Sequence, residues 1–230
     1  NCRGQALSAG TERNLHLATY SLSCLQQTRS ILGNDFSYDD SQSGIVRLIS
    51  TQKEADAARD YFAKHHQDKK IVWMEPSELA AKDTAFRSAV ESNLIAGAVM
   101  GTTDESGDAR IFATKLAKEF ENRGGEIRTN CRVTDFISHN GYVHGVTTEH
   151  GDLLADRVVL SSGVASRALA KKIGITIPIL PIKGYSVTVP ITDERNVPIA
   201  SCTDLKHRLV ISRLGSRLRV AGFAEIGSDD

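Results

Sequence analysis

Three small residues, Ser161, Ser162 and Gly163, follow an apolar run over 155–160 and precede a segment of helical character over 166–172. The Val and Leu residues of that run predict a strand buried on both faces, as in a parallel sheet. A strand that ends in small residues lets a cofactor approach the backbone closely. We therefore predict that all three residues contact a cofactor; the alternative for Gly163 is a simple helix-entry glycine.

The glycine-rich motif Gly-x-Gly-x-x-Gly does not occur anywhere in the 230 residues. In dinucleotide-binding folds this motif opens the first helix, where backbone amides hold the pyrophosphate. The strand over 155–163 therefore predicts half of a cofactor site, without the turn that usually completes it.

Three arginines near the end of the chain, Arg213, Arg217 and Arg219, could bind a carboxylate. The planar guanidinium donates two parallel hydrogen bonds to a carboxylate, which makes arginine a common choice for such sites. Alternation along a strand places Arg217 and Arg219 on one face. The competing interpretation is the polar face of an antiparallel hairpin, and the sequence leaves both open.

Metal-binding patterns are absent from the sequence. The four cysteines are far apart: Cys2, Cys24, Cys131 and Cys202. No Cys-x-x-Cys spacing occurs, and His65 and His66 end a predicted helix with no carboxylate partner nearby, so we expect no metal site. Scattered cysteines are typical of small buried apolar residues in a reducing compartment.

The bulk composition excludes several classes of protein. Lys plus Arg and Asp plus Glu number 28 each, which argues against a nucleic-acid or acidic-membrane partner. The apolar stretch over 173–182 is interrupted by Pro178 and Pro181 and is too short to cross a bilayer. The sequence begins at Asn1 without an initiator Met or a signal sequence, so we expect an internal segment of a longer protein.

The chemistry-bearing residues lie among alternating helices and strands. Helices are predicted over 14–32, 52–65, 76–81, from Asp108 to about 123, and over 166–172. Thr51 and Glu54 form a capping-box pattern, and Phe112, Leu116 and Phe120 share one helical face. Strands are predicted over 44–49, 71–74, 89–100, 126–128, 133–138, 142–149, 155–163, 184–190, 208–213 and 217–223. Asn140-Gly141 is a strong hairpin signal.

Several strings resemble the bacterial D-amino acid dehydrogenases, in the FAD-dependent D-amino acid oxidase and glycine oxidase group. The strings are Gly107-Asp108-Ala109, Ala155-Asp156, Pro181-Ile182-Lys183-Gly184-Tyr185-Ser186, Ile211-Ser212-Arg213-Leu214-Gly215 and Arg219-Val220-Ala221-Gly222 through Glu225. The resemblance covers nearly the whole chain, and Lys-Gly-Tyr-Ser is its most specific part.

The resemblance implies an enzyme that oxidises a small D-amino acid to a 2-oxo acid and ammonia by hydride transfer to FAD, from which electrons pass to an acceptor such as a quinone. It identifies no catalytic acid or base. We expect that these 230 residues alone neither hold FAD tightly nor turn over substrate. The rival interpretations are a glycine or sarcosine oxidase-like amine oxidase and a non-catalytic interaction or capping module.

The resemblance also implies a mixed α/β and α+β fold, in which part of a FAD-binding Rossmann-like domain with an inserted β-meander is interleaved with an antiparallel-sheet substrate domain. The expected segments are a helix near the FAD domain over 1–35, the substrate domain over 36–100 and 178–230, and the FAD domain over 101–177. The expected protein is cytoplasmic or peripheral to the inner membrane, without a transmembrane segment or nucleic-acid partner.

Three further site residues follow from the resemblance. Val133 lies where the family brings backbone groups to the adenine, although a plain core valine is the alternative. Lys183 and Tyr185 flank Gly184, and strand alternation places both on one face, where they could meet the substrate. A solvated Lys183 beside a packed Tyr185 is the alternative.

Overall fold

A computed structural model of the protein describes residues 4–33, 35–65 and 70–227. The helices are α1 Gly4–Leu32, α2 Gln52–His65, α3 Pro76–Lys82, α4 Arg87–Glu91, α5 Ala109–Asn122 and α6 Ser166–Lys172. The strands are β1 Ile45–Ile49, β2 Ile71–Met74, β3 Gly97–Gly101, β4 Val133–His139, β5 Tyr142–Thr148, β6 Gly151–Leu154, β7 Ile182–Pro190, β8 Ser201–Asp204, β9 Leu209–Leu214 and β10 Arg217–Ile226.

Seven strands form one sheet in the order β2-β3-β1-β8-β9-β10-β7. All neighbouring pairs in it are antiparallel except β1 and β8, which run parallel. The sequence predicted an antiparallel sheet here, which agrees with every neighbouring pair except β1 and β8. The parallel pair and the strand β8 were not predicted, because β1 and β8 lie about 150 residues apart in the chain and no hairpin signal links them.

The hydrophobic core lies on the face of this sheet that α3 and α4 cover. Val46 and Leu48 alternate along β1 toward that face, as the period of a half-buried strand requires. Leu79 of α3 is 1% exposed and packs in the same cluster. Cys202 of β8 is fully buried there, which agrees with the expectation that the cysteines act as small apolar residues.

Local signals set the ends of the helices. Thr51 accepts a hydrogen bond from the Glu54 backbone N–H at 3.3 Å and donates its hydroxyl to the Glu54 carboxylate at 2.7 Å, which confirms the predicted start of α2. Gly33, with φ of 77°, ends α1 by donating its N–H to the Arg29 carbonyl. The predicted helix over 14–32 is confirmed, and it begins ten residues earlier than expected.

The strands β4, β5 and β6 form a separate antiparallel meander. Asn140 and Gly141 join β4 to β5 with φ values of 52° and 80°, the left-handed pair that a tight hairpin turn requires. Gly145 of β5 lies so close to the Leu153 carbonyl of β6 that a Cβ atom would overlap it. The predicted meander is confirmed.

Two predicted strands take other conformations. The segment 89–100 begins inside α4 and becomes a strand only at Gly97, because a turn intervenes in which the Leu94 N–H bonds to the Ala89 carbonyl. The segment 126–128 pairs with no strand among the described residues. There Arg128 donates hydrogen bonds to Glu126, two positions away.

The run over 155–163 is the clearest departure from prediction. Ala155 still bonds to the His144 carbonyl at the end of the meander, but residues 157–162 join no sheet within the described part of the chain. Val159 is 86% exposed. A strand exists only where a neighbour accepts and donates its backbone hydrogen bonds, and the described residues provide none here. This run, residues 157–162, is called the extended segment below, and it is unpaired among the described residues.

Candidate functional site

The first candidate site, called the meander cavity, is a hollow of about 740 Å³ between the meander, the extended segment and α6. Its size is within the range of small-molecule pockets. Its lining residues are 131–134, Phe136, Val146, Glu149, 158–162, Ala165, Ala168, Leu169 and Lys172. The cavity thus forms where the end of the extended segment turns into α6.

The structure brings three of the four predicted cofactor residues to this cavity. Val133, Ser161 and Ser162 all line it, although 28 residues separate the first two in the sequence. Gly163 directly follows the lining segment, and its φ of 58° lies in the left-handed region that favours glycine. The Ser162 hydroxyl lies 3.0 Å from the Ser166 hydroxyl, which ties the turn to the start of α6.

The chemistry of the cavity wall fits the nucleotide part of a cofactor. Val133, Phe136 and Leu169 provide apolar surface for a flat ring, while the lining also includes Arg132 and Lys172, the latter paired with Asp135 at 3.5 Å. The backbone of 157–161 takes part in no strand pairing among the described residues, so its N–H and C=O groups can bind a ligand. These groups could hold a nucleotide.

The second candidate site, called the sheet cavity, is a hollow of about 640 Å³ on β7, β9 and β10. Its floor consists of small residues, namely Gly184, Ser186, Ala221, Gly222 and Ala224. Larger side chains surround this floor, namely Tyr185, Arg208, Val210, Arg219 and Phe223. A floor of small residues lets a ligand lie close to the strand backbones.

A β-bulge shapes the sheet cavity. Gly222 pairs with Tyr185 and Ala224 pairs with Gly184, so Phe223 is the extra residue of β10. Phe223 has a φ of 59°, which is unusual for a bulky side chain, and 75% of it is exposed. At Gly222 a Cβ atom would lie 2.8 Å from the Arg208 carbonyl oxygen, so the close approach of β9 and β10 requires glycine.

The predicted substrate residues Lys183 and Tyr185 lie on the edge strand β7. The Tyr185 hydroxyl donates a hydrogen bond of 2.6 Å to Glu225, which raises the pKa of the tyrosine. Glu225 is also the register partner of Lys183. Alternation along β7 directs the side chains of Lys183 and Tyr185 away from the sheet face on which Ser186 contacts Arg219. Tyr185 nevertheless lines the sheet cavity.

The three arginines considered as a carboxylate clamp have different partners. Arg213 pairs with Glu194 at 3.0 Å, and Arg217 pairs with two aspartates at 2.8 Å each. Arg219 donates a hydrogen bond of 3.0 Å to the Ser186 hydroxyl and has no carboxylate partner among the described residues. The three side chains therefore form no common clamp, and only Arg219 lines a candidate site.

Arg217 belongs to a junction between the seven-stranded sheet and α5. Its guanidinium bridges Asp39 and Asp108. The other oxygen of Asp108 accepts the backbone N–H groups of Arg110 and Ile111, which confirms Asp108 as the N-cap of α5. The hydrogen bond from the Ile111 backbone N–H, followed by those from Arg217 and from the Arg110 backbone N–H, holds the pKa of Asp108 below its ordinary value.

The thiols and histidines of the described residues gather in no metal-binding cluster. Among residues 4–33, 35–65 and 70–227, no three His, Cys, Asp or Glu side chains gather closely enough to hold a metal ion. Burial raises the pKa of the Cys202 thiol to about 12. Cys24 and Cys131 are half-buried free thiols. His66 lies outside the described residues.

No helix in the described part of the chain has both the length and the apolar character needed to cross a bilayer.

Two residues that line the sheet cavity, Arg208 and Phe223, were not predicted as site residues from the sequence. Arg208 precedes β9 in a turn, where a basic residue carries no pattern of its own. The signal for Phe223 was Gly222, because a glycine inside a strand often marks a bulge or a close backbone approach.

Comparison with known proteins identifies the family. The FAD dependent oxidoreductase family matches residues 2–230. The D-amino acid dehydrogenase of Paramagnetospirillum magneticum is 36% identical over 233 residues, which cover 100% of this chain and 54% of that protein. The D-amino acid dehydrogenase of Cereibacter sphaeroides (strain ATCC 17029) is 35% identical over 98% of this chain and 51% of its own length. The chain spans about half the length of these curated relatives.

Solved structures show the same fold at lower identity. Glycine oxidase from Geobacillus kaustophilus superposes with a TM-score of 0.78 at 20% identity, covering 93% of this chain and 56% of that one. L-Proline dehydrogenase from P. horikoshii gives a TM-score of 0.72 at 16% identity, over 85% of this chain and 53% of that one. The mixed α/β fold class and the family resemblance are confirmed: the chain belongs to the FAD dependent oxidoreductase family.

Proposed function

We propose that this chain is part of a FAD-dependent dehydrogenase that oxidises D-amino acids to 2-oxo acids and ammonia. The observation that carries the proposal is the match of 36% identity along the whole chain to a protein named D-amino acid dehydrogenase. FAD supplies the two-electron redox chemistry when it is bound. The chain's own residues then have two tasks, which are to hold the nucleotide and to orient the substrate.

The meander cavity is the proposed nucleotide site. Val133 offers backbone groups beside an apolar wall, while Ser161, Ser162 and Gly163 form the turn at which the extended segment enters α6. The geometry supports this because the turn carries small side chains, so a ligand can reach its backbone. Ala168 of α6 closes one side of the cavity.

A substitution that fills the meander cavity tests this assignment. In the full-length protein, Ala168→Trp should weaken FAD binding at least about ten-fold, since an added indole occupies the space of the ligand. Ala113→Trp on α5, which does not line the cavity, is the matched control and should leave binding unchanged. Equal FAD affinity of the two variants, measured by reconstitution of the apoprotein, would place the nucleotide elsewhere.

The sheet cavity is the proposed substrate site. It joins cationic groups, hydroxyl groups and an apolar wall on a floor of small residues, which suits a small amino acid. Lys183 and Tyr185 are proposed to support it from β7, through Glu225 and through the strand backbone that borders the cavity. The proposed segments keep the sequence boundaries, with the substrate domain over 36–100 and 178–230 and the FAD domain over 101–177.

The decisive experiment uses the purified full-length protein without oxygen. A flavin absorption spectrum that bleaches on addition of D-alanine, and not of L-alanine, supports the D-amino acid dehydrogenase. Bleaching by glycine or sarcosine but by no D-amino acid would instead identify the amine oxidase alternative. A protein without bound flavin would favour the non-catalytic module and contradict the proposal.

A quinone is the proposed electron acceptor, and a cytoplasmic location at the inner membrane is proposed with it. Both follow from the resemblance to the bacterial dehydrogenases. After bleaching by D-alanine, a short-chain quinone should restore the flavin spectrum faster than air does. Faster recovery in air would contradict the quinone assignment and indicate an oxidase.

A further inference from the structure

Two arginines that line the sheet cavity lack an acidic partner within the described residues. Arg29, Arg59, Arg213 and Arg217 each form an ion pair with an aspartate or glutamate. Arg208 and Arg219 line the sheet cavity, and neither forms an ion pair within the described residues. The positive charge of this cavity is therefore not neutralised by the part of the chain that the structure describes.

Among the described residues, no acidic side chain belongs to the wall of the sheet cavity. Its lining consists of glycine, alanine and serine on the floor, with Tyr185, Val210, Phe223 and the two arginines around them. The nearest carboxylate along β10 is Glu225, which accepts the Tyr185 hydroxyl and lies opposite Lys183 in the register. Glu225 does not line the cavity, so it is not placed to receive a cationic ligand group.

We propose that Arg208 and Arg219 make the sheet cavity a charge filter, which binds amino acids with neutral or acidic side chains and rejects those with cationic side chains. This inference rests on the proposed function, because it assumes that the substrate enters the sheet cavity. The guanidiniums attract the substrate carboxylate and repel a second ammonium group. Val210 and Phe223 provide the apolar surface for an uncharged side chain.

The strongest test compares two substrates of nearly equal length, D-norleucine and D-lysine. Their side chains differ by one terminal ammonium group, so apolar contact along the chain is almost the same. In the full-length holoenzyme, kcat/KM should be at least about ten-fold higher for D-norleucine, since like charges brought together are strongly unfavourable. A ratio near one in the wild-type enzyme would overturn the proposal.

Variants connect the selectivity to the two arginines. Arg219→Gln and Arg208→Gln should each reduce the ratio of kcat/KM for D-norleucine to that for D-lysine, and the double variant should bring it within about three-fold. Arg213→Gln is the matched control, because its guanidinium pairs with Glu194 outside the cavity. A ratio that stays unchanged in the double variant, or that falls equally in the control, would contradict the role of these residues.

A binding measurement keeps the test independent of turnover. Calorimetry on the holoenzyme should show propionate binding at least about ten-fold more tightly than propionamide, with this preference reduced in Arg219→Gln. If D-alanine fails to bleach the flavin while propionate is still preferred, the proposed reaction fails and the charge filter stands. Equal affinity for the two ligands in a protein that oxidises D-alanine would refute the filter alone.

Discussion

The strand β1 and the extended segment 157–162 both contain Val and Leu residues, yet β1 is buried in a sheet and 157–162 is unpaired among the described residues. β1 lies between β3 and β8 and buries Val46 to 2% exposure. The extended segment has no neighbouring strand among the described residues, and Val159 is 86% exposed. The comparison shows that an apolar run is compatible with a buried strand, but that the strand forms only where neighbouring strands are available to pair with it.

The two candidate cavities repeat this contrast. The sheet cavity lies on strands that pair on both sides or form the sheet edge, and its shape comes from one bulge. The meander cavity is bounded on one side by backbone that no strand pairs within the described residues. The floor of the sheet cavity is therefore formed by paired strands, whereas one wall of the meander cavity has backbone groups that a ligand or another segment could bind.

The largest expected effect tests the contrast between β1 and the extended segment with one substitution at two sites. Val46→Ala should lower the free energy of unfolding of the 230-residue chain by about 1–3 kcal/mol, because it removes buried methyl groups. Val159→Ala should change it by less than about 0.5 kcal/mol, as is usual at exposed positions. Urea denaturation measures both, and equal losses would mean that Val159 is buried in solution.

A second substitution probes the meander that supports the first cavity. Gly145→Ala should destabilise the protein by about 1–3 kcal/mol, since the new methyl group would overlap the Leu153 carbonyl of the adjacent strand. Gly141→Ala is an informative control: it meets no atom within 4 Å and should cost only the strain of its left-handed φ. A meander that tolerates Gly145→Ala as well as the control would be less tightly paired than described.

A smaller, pH-dependent effect is expected at the junction between the sheet and α5. The pKa of Asp108 is depressed below its ordinary value of 3.8, so its carboxylate stabilises the folded state above that pH. This stabilisation is lost as the pH falls through the folded-state pKa. Asp108→Asn keeps a capping side chain but loses the charge facing Arg217.

The Asp108→Asn variant should therefore lose less than about 1 kcal/mol at pH 7 and match the wild type near pH 2. Thermal unfolding at a series of pH values measures the difference. Asp152→Asn, which removes an aspartate without an ion pair in the described residues, serves as the control. A difference that persists undiminished in acid would show that Asp108 acts through shape and not through charge.

The smallest effect is expected at the pair Arg213–Glu194. The Glu194 side chain is 75% exposed, and solvent-exposed ion pairs contribute little to stability. Arg213→Gln should change the free energy of unfolding by no more than about 0.5 kcal/mol. A loss above 1 kcal/mol in a denaturant titration would give this pair a structural role that its exposure does not suggest.

Local signals in the sequence were sufficient for most of the elements. Thr51, Asp108 and the Asn140-Gly141 turn act through their own neighbours, and the structure confirms each of them. Pairing between distant segments was not predictable in the same way. The position of β8 beside β1 and the unpaired state of 157–162 depend on which distant segments are available for pairing, and local sequence patterns do not indicate this.

The candidate sites also combine features that the local sequence predicts with features that depend on distant contacts. The turn formed by Ser161, Ser162 and Gly163 could be predicted, because small residues directly after an apolar run indicate by themselves a place where a ligand can approach the backbone. Arg219 could be distinguished from Arg213 and Arg217 only once their partners were known, since each of those pairings spans many residues. Their proposed roles in cofactor and substrate binding remain predictions.

The parallel pairing of β1 with β8 also affects how the chain folds. Ile45 pairs with Ser201, so this contact closes a loop of more than 150 residues. The antiparallel group β2-β3-β1 can form early during synthesis, but its β1 edge stays open until the distant strand emerges. An open, apolar strand edge is a hazard for aggregation in the meantime. The yield of folded protein should therefore depend on how quickly residues 201–204 follow the first three strands.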